Sequence, residues 1–170
     1  MGDQLFRSTL ETPFGQLKLA VDGDGTLLEL WLPNRGKAIQ STRCASRAAS
    51  EGMHAVQTQL REYFAGTRRT FDLALDPHGT PFEQRVWSRL REIPYGATTS
   101  YGAIAQEFGL ENAARAVGRA NGANPIPIII PCHRVIGADG TLTGFGGGLP
   151  LKRALLELEG AIAPPHPQLF

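Results

Sequence analysis

The chain has 170 residues, 42% hydrophobic and 19% charged, enough for a packed core in one domain or two small ones, and this composition excludes a disordered chain. No apolar run approaches membrane-spanning length, and the opening "MGDQLFRSTLETPFG" lacks the basic and apolar segments of a signal peptide, so the expected compartment is the cytoplasm and no membrane contact is expected. The formal net charge is only +1, yet between residues 85 and 153 the cations Arg85, Arg89, Arg91, Arg115, Arg119, Arg134, Lys152 and Arg153 outnumber Glu92, Glu107, Glu111 and Asp139, a balance that suits a polyanionic partner or a solvated basic face.

From Leu5 to Leu32 the chain reads as strands, with "GQLKLAV" and "TLLELWL" flanking "DGDG", whose Asp-Gly pairs favour a hairpin. Met53, Val56, Leu60 and Phe64 then recur at helical spacing, and Gly66 should end that helix. In "RTFDLAL" the alternation of Phe71, Leu73 and Leu75 with polar or small residues predicts a half-buried strand. "DPHGTP" breaks regular structure and marks a domain boundary near Pro77 to Pro81.

Beyond it, Phe82, Val86, Leu90 and Ile93 mark one face of a helix that stops at "PYG". Ser100 can cap a short helix through Ala105, Gly109 supplies a turn, and a second short helix runs from about Asn112 to Ala120. Two short helices about a glycine turn make a candidate helix-turn-helix. In the second, small residues surround Arg115 and Arg119, which leaves the backbone free to approach either a nucleic acid or a neighbouring helix. Asn124 and Pro125 predict a turn, and the following isoleucines a short apolar strand. "GADGTLTGFGGGLP" is a glycine-rich loop without the ending of a phosphate-binding loop, and "LKRALLELEG" is a helix with Leu151, Leu155 and Leu158 on one side. The tail "APPHPQLF" should fray.

The chemistry centres on "IPIIIPCHRVIG". The two cysteines, Cys44 and Cys132, make no disulfide framework, and His54, His78, His133 and His166 are scattered singly, so no metal site is expected. A free cysteine is most often a small buried hydrophobe. Pro131, however, should end the strand and present Cys132 at an edge, beside His133 and Arg134, in an accessible, electropositive setting. The thiolate is the nucleophile, and His133 could activate it through a water or a local bend. That imidazole needs a carboxylate to fix its tautomer; Glu159 is the candidate and Glu157 the rival that spacing alone leaves open.

"IPCHRV", with "RAVGRANGANP" upstream and "GFGGGLPLKRALLELEG" downstream, closely resembles the O6-alkylguanine-DNA alkyltransferases, and "PFEQRVW" and "IPYGATTSYG" match in order and spacing. The resemblance covers roughly Pro81 to Gly160. It implies an α/β N-terminal domain with a small sheet and a helix, residues 1–78. A mainly α-helical C-terminal domain, residues 79–170, would follow with a helix-turn-helix and a short active-site strand. It implies that Cys132 takes an alkyl group from guanine O6 in double-stranded DNA, with thymine O4 as a further target, irreversibly and without cofactor or metal. His133 would polarise the thiol through a water, with Glu159 rather than Glu157 behind it; Tyr101 would protonate the flipped base, and Asn124 would brace the turn. Arg115 would fill the hole left by the extruded nucleotide, with Ala114, Ala116, Gly118 and Arg119 against the DNA. Val135, Phe145, Gly146 and Gly147 would frame the guanine pocket. A monomer is expected, with cooperativity on DNA left open.

Departures from the family pattern are Phe145 in place of a common tyrosine, small Gly122 and Ala123 where some relatives are bulkier or basic, and no counterpart of the N-terminal zinc ligands of mammalian forms. Two other classes compete. A cysteine hydrolase would need its histidine far from the cysteine in sequence, whereas Cys132 and His133 are adjacent. A non-catalytic binder of alkylated bases would have no use for Cys132.

Overall fold

The computed structural model describes residues 4–44 and 46–164; the expected fraying beyond Pro164 lies outside the described residues. Strands β1 (Phe6–Thr12), β2 (Gly15–Val21) and β3 (Leu27–Trp31) form an antiparallel sheet in that order. The predicted β2–β3 hairpin turns on Asp22, whose Oδ1 accepts from the backbone of Asp24 and Thr26, both at 2.9 Å. Helix α1 (Arg47–Phe64) is capped by the Ser46 hydroxyl and followed by Gly66 at φ +76°, where a left-handed residue ends the helix as predicted. Its buried stripe of Ala49, Met53, Val56, Leu60 and Tyr63 belongs to the same core as Leu17, Leu19 and Val21 of the sheet.

"RTFDLAL" does not form the expected strand ladder. Phe71, Leu73 and Leu75 do alternate inward, but pairing is confined to one bridge between Leu75 and Leu27. The physical reason lies on α1: the Gln59 amide takes both backbone groups of Asp72, each at 2.9 Å, and so removes them from any ladder.

Helix α2 (Pro81–Leu90) opens with a capping box between Thr80 and Glu83. It ends earlier than expected: Ile93 is buried but sits in the turn beyond, before Pro94, which disfavours helix in the residue preceding it. Strand β4 (Thr99–Ser100) runs into α3 (Tyr101–Glu107), capped by Ser100 as expected, and α4 (Ala114–Gly122) follows. The Trp87 indole donates to the Ala120 carbonyl at 2.8 Å and ties α2 to α4. Strand β5 (Val135–Ile136) pairs in parallel with β4, and α5 (Leu149–Leu158) closes the fold.

One buried cluster runs from the sheet through α1, α2, α4 and α5. Leu30 of β3 donates to the Pro125 carbonyl at 2.8 Å, so the sheet edge holds the segment that leads to Cys132. No helix among the described residues is long and apolar enough to cross a membrane.

Candidate active site

The isoleucine run is not a strand. Asn124 Oδ1 accepts from Ile126 N at 3.0 Å and its Nδ2 donates to the Ile130 carbonyl at 2.8 Å, while Ile130 N bonds back to Ile126 O at 2.9 Å. Pro125, Pro127 and Pro131 cannot donate to a ladder, so the segment folds on itself with Ile128 at φ +74°. A single 3-10 turn, Cys132–Arg134, follows, and the short strand of the site is β5, after the cysteine rather than before it.

Cys132 is therefore not an exposed edge residue: it is only 5% exposed, at the floor of a cavity of about 120 Å³. Asn121, Asn124, Phe145 and Gly146 line that cavity with Trp31 and Arg35 from the N-terminal segment. Burial pushes the Cys132 thiol up, opposed by a hydrogen bond from the Asn124 side chain and by the Lys152 charge.

His133 and Arg134 are buried as well, against the expectation of an open basic lip. Both meet Glu159: His133 Nε2 lies 2.8 Å from Oε1, Arg134 Nη2 donates to Oε1 and Nε to Oε2, each at 2.9 Å, and Arg134 Nη1 donates to the Ile93 carbonyl at 2.7 Å. Burial raises the Glu159 carboxyl, but the His133 and Arg134 hydrogen bonds outweigh it and hold it down at about 2. Burial pushes His133 down more than the carboxylate raises it, so the imidazole is neutral. Nε2 then carries the proton toward Glu159 and Nδ1, buried and without a hydrogen-bond partner among the described residues, is the basic nitrogen. Glu157, the rival, is only partly buried and sits 3.9 Å from Arg153.

Lys152 carries no local signal that would single it out in the sequence. Its ammonium is buried on α5, donating to the carbonyls of Val135 at 2.6 Å and Thr143 at 2.8 Å and reaching the Tyr101 hydroxyl at 3.5 Å. Tyr101 in turn donates to Thr143 O at 3.4 Å. Burial lowers Lys152 to about 8, against a pull upward from Cys132. The lysine thus clamps the glycine-rich loop to β5. Gly147 packs on Leu151 and Leu32 rather than on the cavity; a Cβ there would lie 2.6 Å from Leu151 Cδ2. Tyr63 of α1, which is not among the residues whose spacing predicted that helix, also donates to Glu159, at 2.7 Å.

On the outer surface, α3 and α4 form the expected pair of short helices, with Arg115 and Arg119 exposed and Val117, Ala120 and Asn121 facing inward. Ala114 and Ala116, on either side of Arg115 in the chain, are partly exposed. Gly118 instead faces α3: a Cβ there would touch the Tyr101 ring at 3.7 Å, so part of the small-residue pattern serves helix packing. Among the described residues no three His, Cys, Asp or Glu side chains gather to hold a metal ion.

Residues 5–77 match the family described as 6-O-methylguanine DNA methyltransferase, ribonuclease-like domain, and residues 81–161 its DNA binding domain. The chain is 50% identical over 169 residues to the methylated-DNA--protein-cysteine methyltransferase of Mycobacterium tuberculosis strain H37Rv, covering 95% of this chain and 96% of that protein. It is 41% identical over 160 residues to the constitutive methylated-DNA--protein-cysteine methyltransferase of Bacillus subtilis strain 168, covering 91% and 94%. The structure of M. tuberculosis OGT in complex with DNA superposes with a TM-score of 0.81 at 48% identity, over 91% of this chain and 92% of that one.

Proposed function

Because the chain belongs to the 6-O-methylguanine DNA methyltransferase family, we propose that Cys132 is the sulfur that receives the alkyl group. DNA is the partner, and repair proceeds by alkyl transfer from DNA to a protein cysteine. The observation that carries the assignment to Cys132 is its place at the floor of a cavity, on the same turn as a neutral His133 backed by Glu159.

The thiol proton passes through a water to His133 Nδ1, and Glu159 stabilises the imidazolium that forms. The thiolate attacks the sp3 carbon on guanine O6; a sulfur-carbon bond forms as the carbon-oxygen bond breaks, and the electron pair goes to the purine. Tyr101 gives its phenolic proton to the base, and the proton taken up by His133 passes back through water to restore the phenol, so the thiol proton ends on the guanine. The product is a thioether with no easy leaving group, so each molecule acts once. Thymine O4 offers the same chemistry.

A thiolate cannot reach this carbon within a duplex, so the nucleotide is extruded at a cost of a few kcal/mol. Arg115 fills the gap and Arg119 meets phosphate, with Ala114 and Ala116 permitting close approach to double-stranded DNA. The base lies between Phe145 and Gly146 on one side and the Val135 backbone on the other, and Asn124 holds the turn beneath it. Residues 79–170 carry this chemistry and residues 1–78 brace it, as a monomer in the cytoplasm. The test is the mass of the intact protein after exposure to duplex DNA carrying O6-methylguanine: one methyl group is gained, and never a second on further exposure.

A further inference from the structure

We infer that Tyr63, on the last turn of α1, is a positioning residue that sets the basicity of His133 through Glu159; the inference rests on the roles proposed above for Cys132 and His133. Its hydroxyl donates to Glu159 Oε1 at 2.7 Å, from 96 residues away in the chain, and its side chain is fully buried.

The two carboxylate oxygens are unequally loaded. Oε2 accepts from Arg134 Nε, whereas Oε1 accepts from Arg134 Nη2, His133 Nε2 and Tyr63 Oη. The two-pronged Arg134 contact already fixes the carboxylate in place. A phenylalanine would fill the space of the ring, which packs edge-on against Tyr95 and Phe64, without burying a hydroxyl. What the hydroxyl adds is a charge-assisted hydrogen bond to the one oxygen that faces the imidazole. It draws negative charge away from Nε2, so the carboxylate pulls less on the imidazole proton.

The charged and titratable groups facing this pair come from four elements: Tyr63 from α1, Tyr95 from the loop after α2, Cys132 and Arg134 from the catalytic turn, and Lys152 from α5. Tyr95 spends its hydroxyl on the Leu158 carbonyl at 3.2 Å. Tyr63 thus links the N-terminal segment to the His133–Glu159 pair, whereas Trp31 and Arg35 reach the Cys132 cavity.

The experiment uses the full chain as wild type, Tyr63→Phe and Glu159→Gln, and follows the pH dependence of Cys132 alkylation by iodoacetamide on the Cys132 peptide. With the hydroxyl gone, Glu159 pulls harder, His133 becomes more basic and the thiolate forms at lower pH. The Tyr63→Phe midpoint is expected to fall by on the order of half a pH unit. That of Glu159→Gln, which loses the carboxylate charge, is expected to rise. An unchanged or raised midpoint in Tyr63→Phe, with a rise in Glu159→Gln, overturns the inference and leaves the His133–Glu159 assignment standing. No shift in Glu159→Gln sinks that assignment, and Tyr63's role with it. Should Tyr63→Phe fail to fold, 3-fluorotyrosine at position 63 alone supplies a stronger donor of the same shape; it should move the midpoint upward, and no movement overturns the inference.

Discussion

Glu159 Oε1 lies 2.8 Å from His133 Nε2, and both side chains are wholly buried, so the C-terminal cap of α5 and the Cys132–Arg134 turn are joined by a contact that water does not screen. This contact has a pH signature. The Glu159 carboxyl, held at about 2 against an ordinary 4.5, contributes stability that is fully present above 4.5 and is lost as pH falls toward 2. His133 is pushed below its ordinary 6.5, so the unfolded chain takes up that proton first and stability also declines as pH drops below 6.5. Thermal melting followed downward from neutrality should show the midpoint falling from near pH 6.5 and more steeply below pH 4.5. A flat melting profile across that range would contradict the burial of this pair.

Cys132→Ser should abolish methyl uptake from O6-methylguanine DNA, since a serine hydroxyl in this setting stays protonated. Peptide mass mapping of the wild type should place the added methyl on Cys132. A methyl group on Cys44, which lies outside the cavity, would move the site elsewhere.

Arg115→Ala removes an exposed side chain that takes no part in the cavity. Repair of a duplex substrate should slow by about tenfold or more, while the reaction with the free alkylated base keeps its rate, because only the duplex requires extrusion at a cost of a few kcal/mol. Comparing the two single-turnover rates tests this; equal losses would take Arg115 out of the wedge role.

Lys152→Met keeps a flexible chain of similar length but deletes the charge beside the thiol and the donors to Val135 and Thr143. The Cys132 alkylation midpoint should rise by about one unit, and methyl transfer near neutrality should slow by about tenfold. In the wild type, the lysine gives up its proton as pH passes about 8, so its support for the thiolate fades above that point. An unchanged midpoint in the variant would mean that the lysine only clamps the loop.

Much of the scaffold is legible in single residues. Gly66 stops α1 and Ser100 caps α3 because a left-handed stop and a side-chain cap are local chemistry. The isoleucine run misleads because a short apolar stretch carries no periodicity; its fold is decided by three prolines and by the Asn124 amide, which stitches the turn from inside. Spacing leaves Glu157 and Glu159 equal, and only the packing of α5 turns the second inward. Lys152 looks like any polar residue beside Arg153, and Tyr63 like any core aromatic, because burial of their polar ends depends on chain segments that meet only in the fold.

Ile128 is a β-branched residue held in the left-handed region, four positions before Cys132 and almost without exposure. Such a conformation costs on the order of 1–3 kcal/mol, and it persists because the surrounding packing leaves no room to relax. For a catalyst that cycles, a stiff platform of this kind would trade away speed at each release of product. A molecule consumed by its first success has no second round to prepare for, and can commit its stored tension wholly to aim.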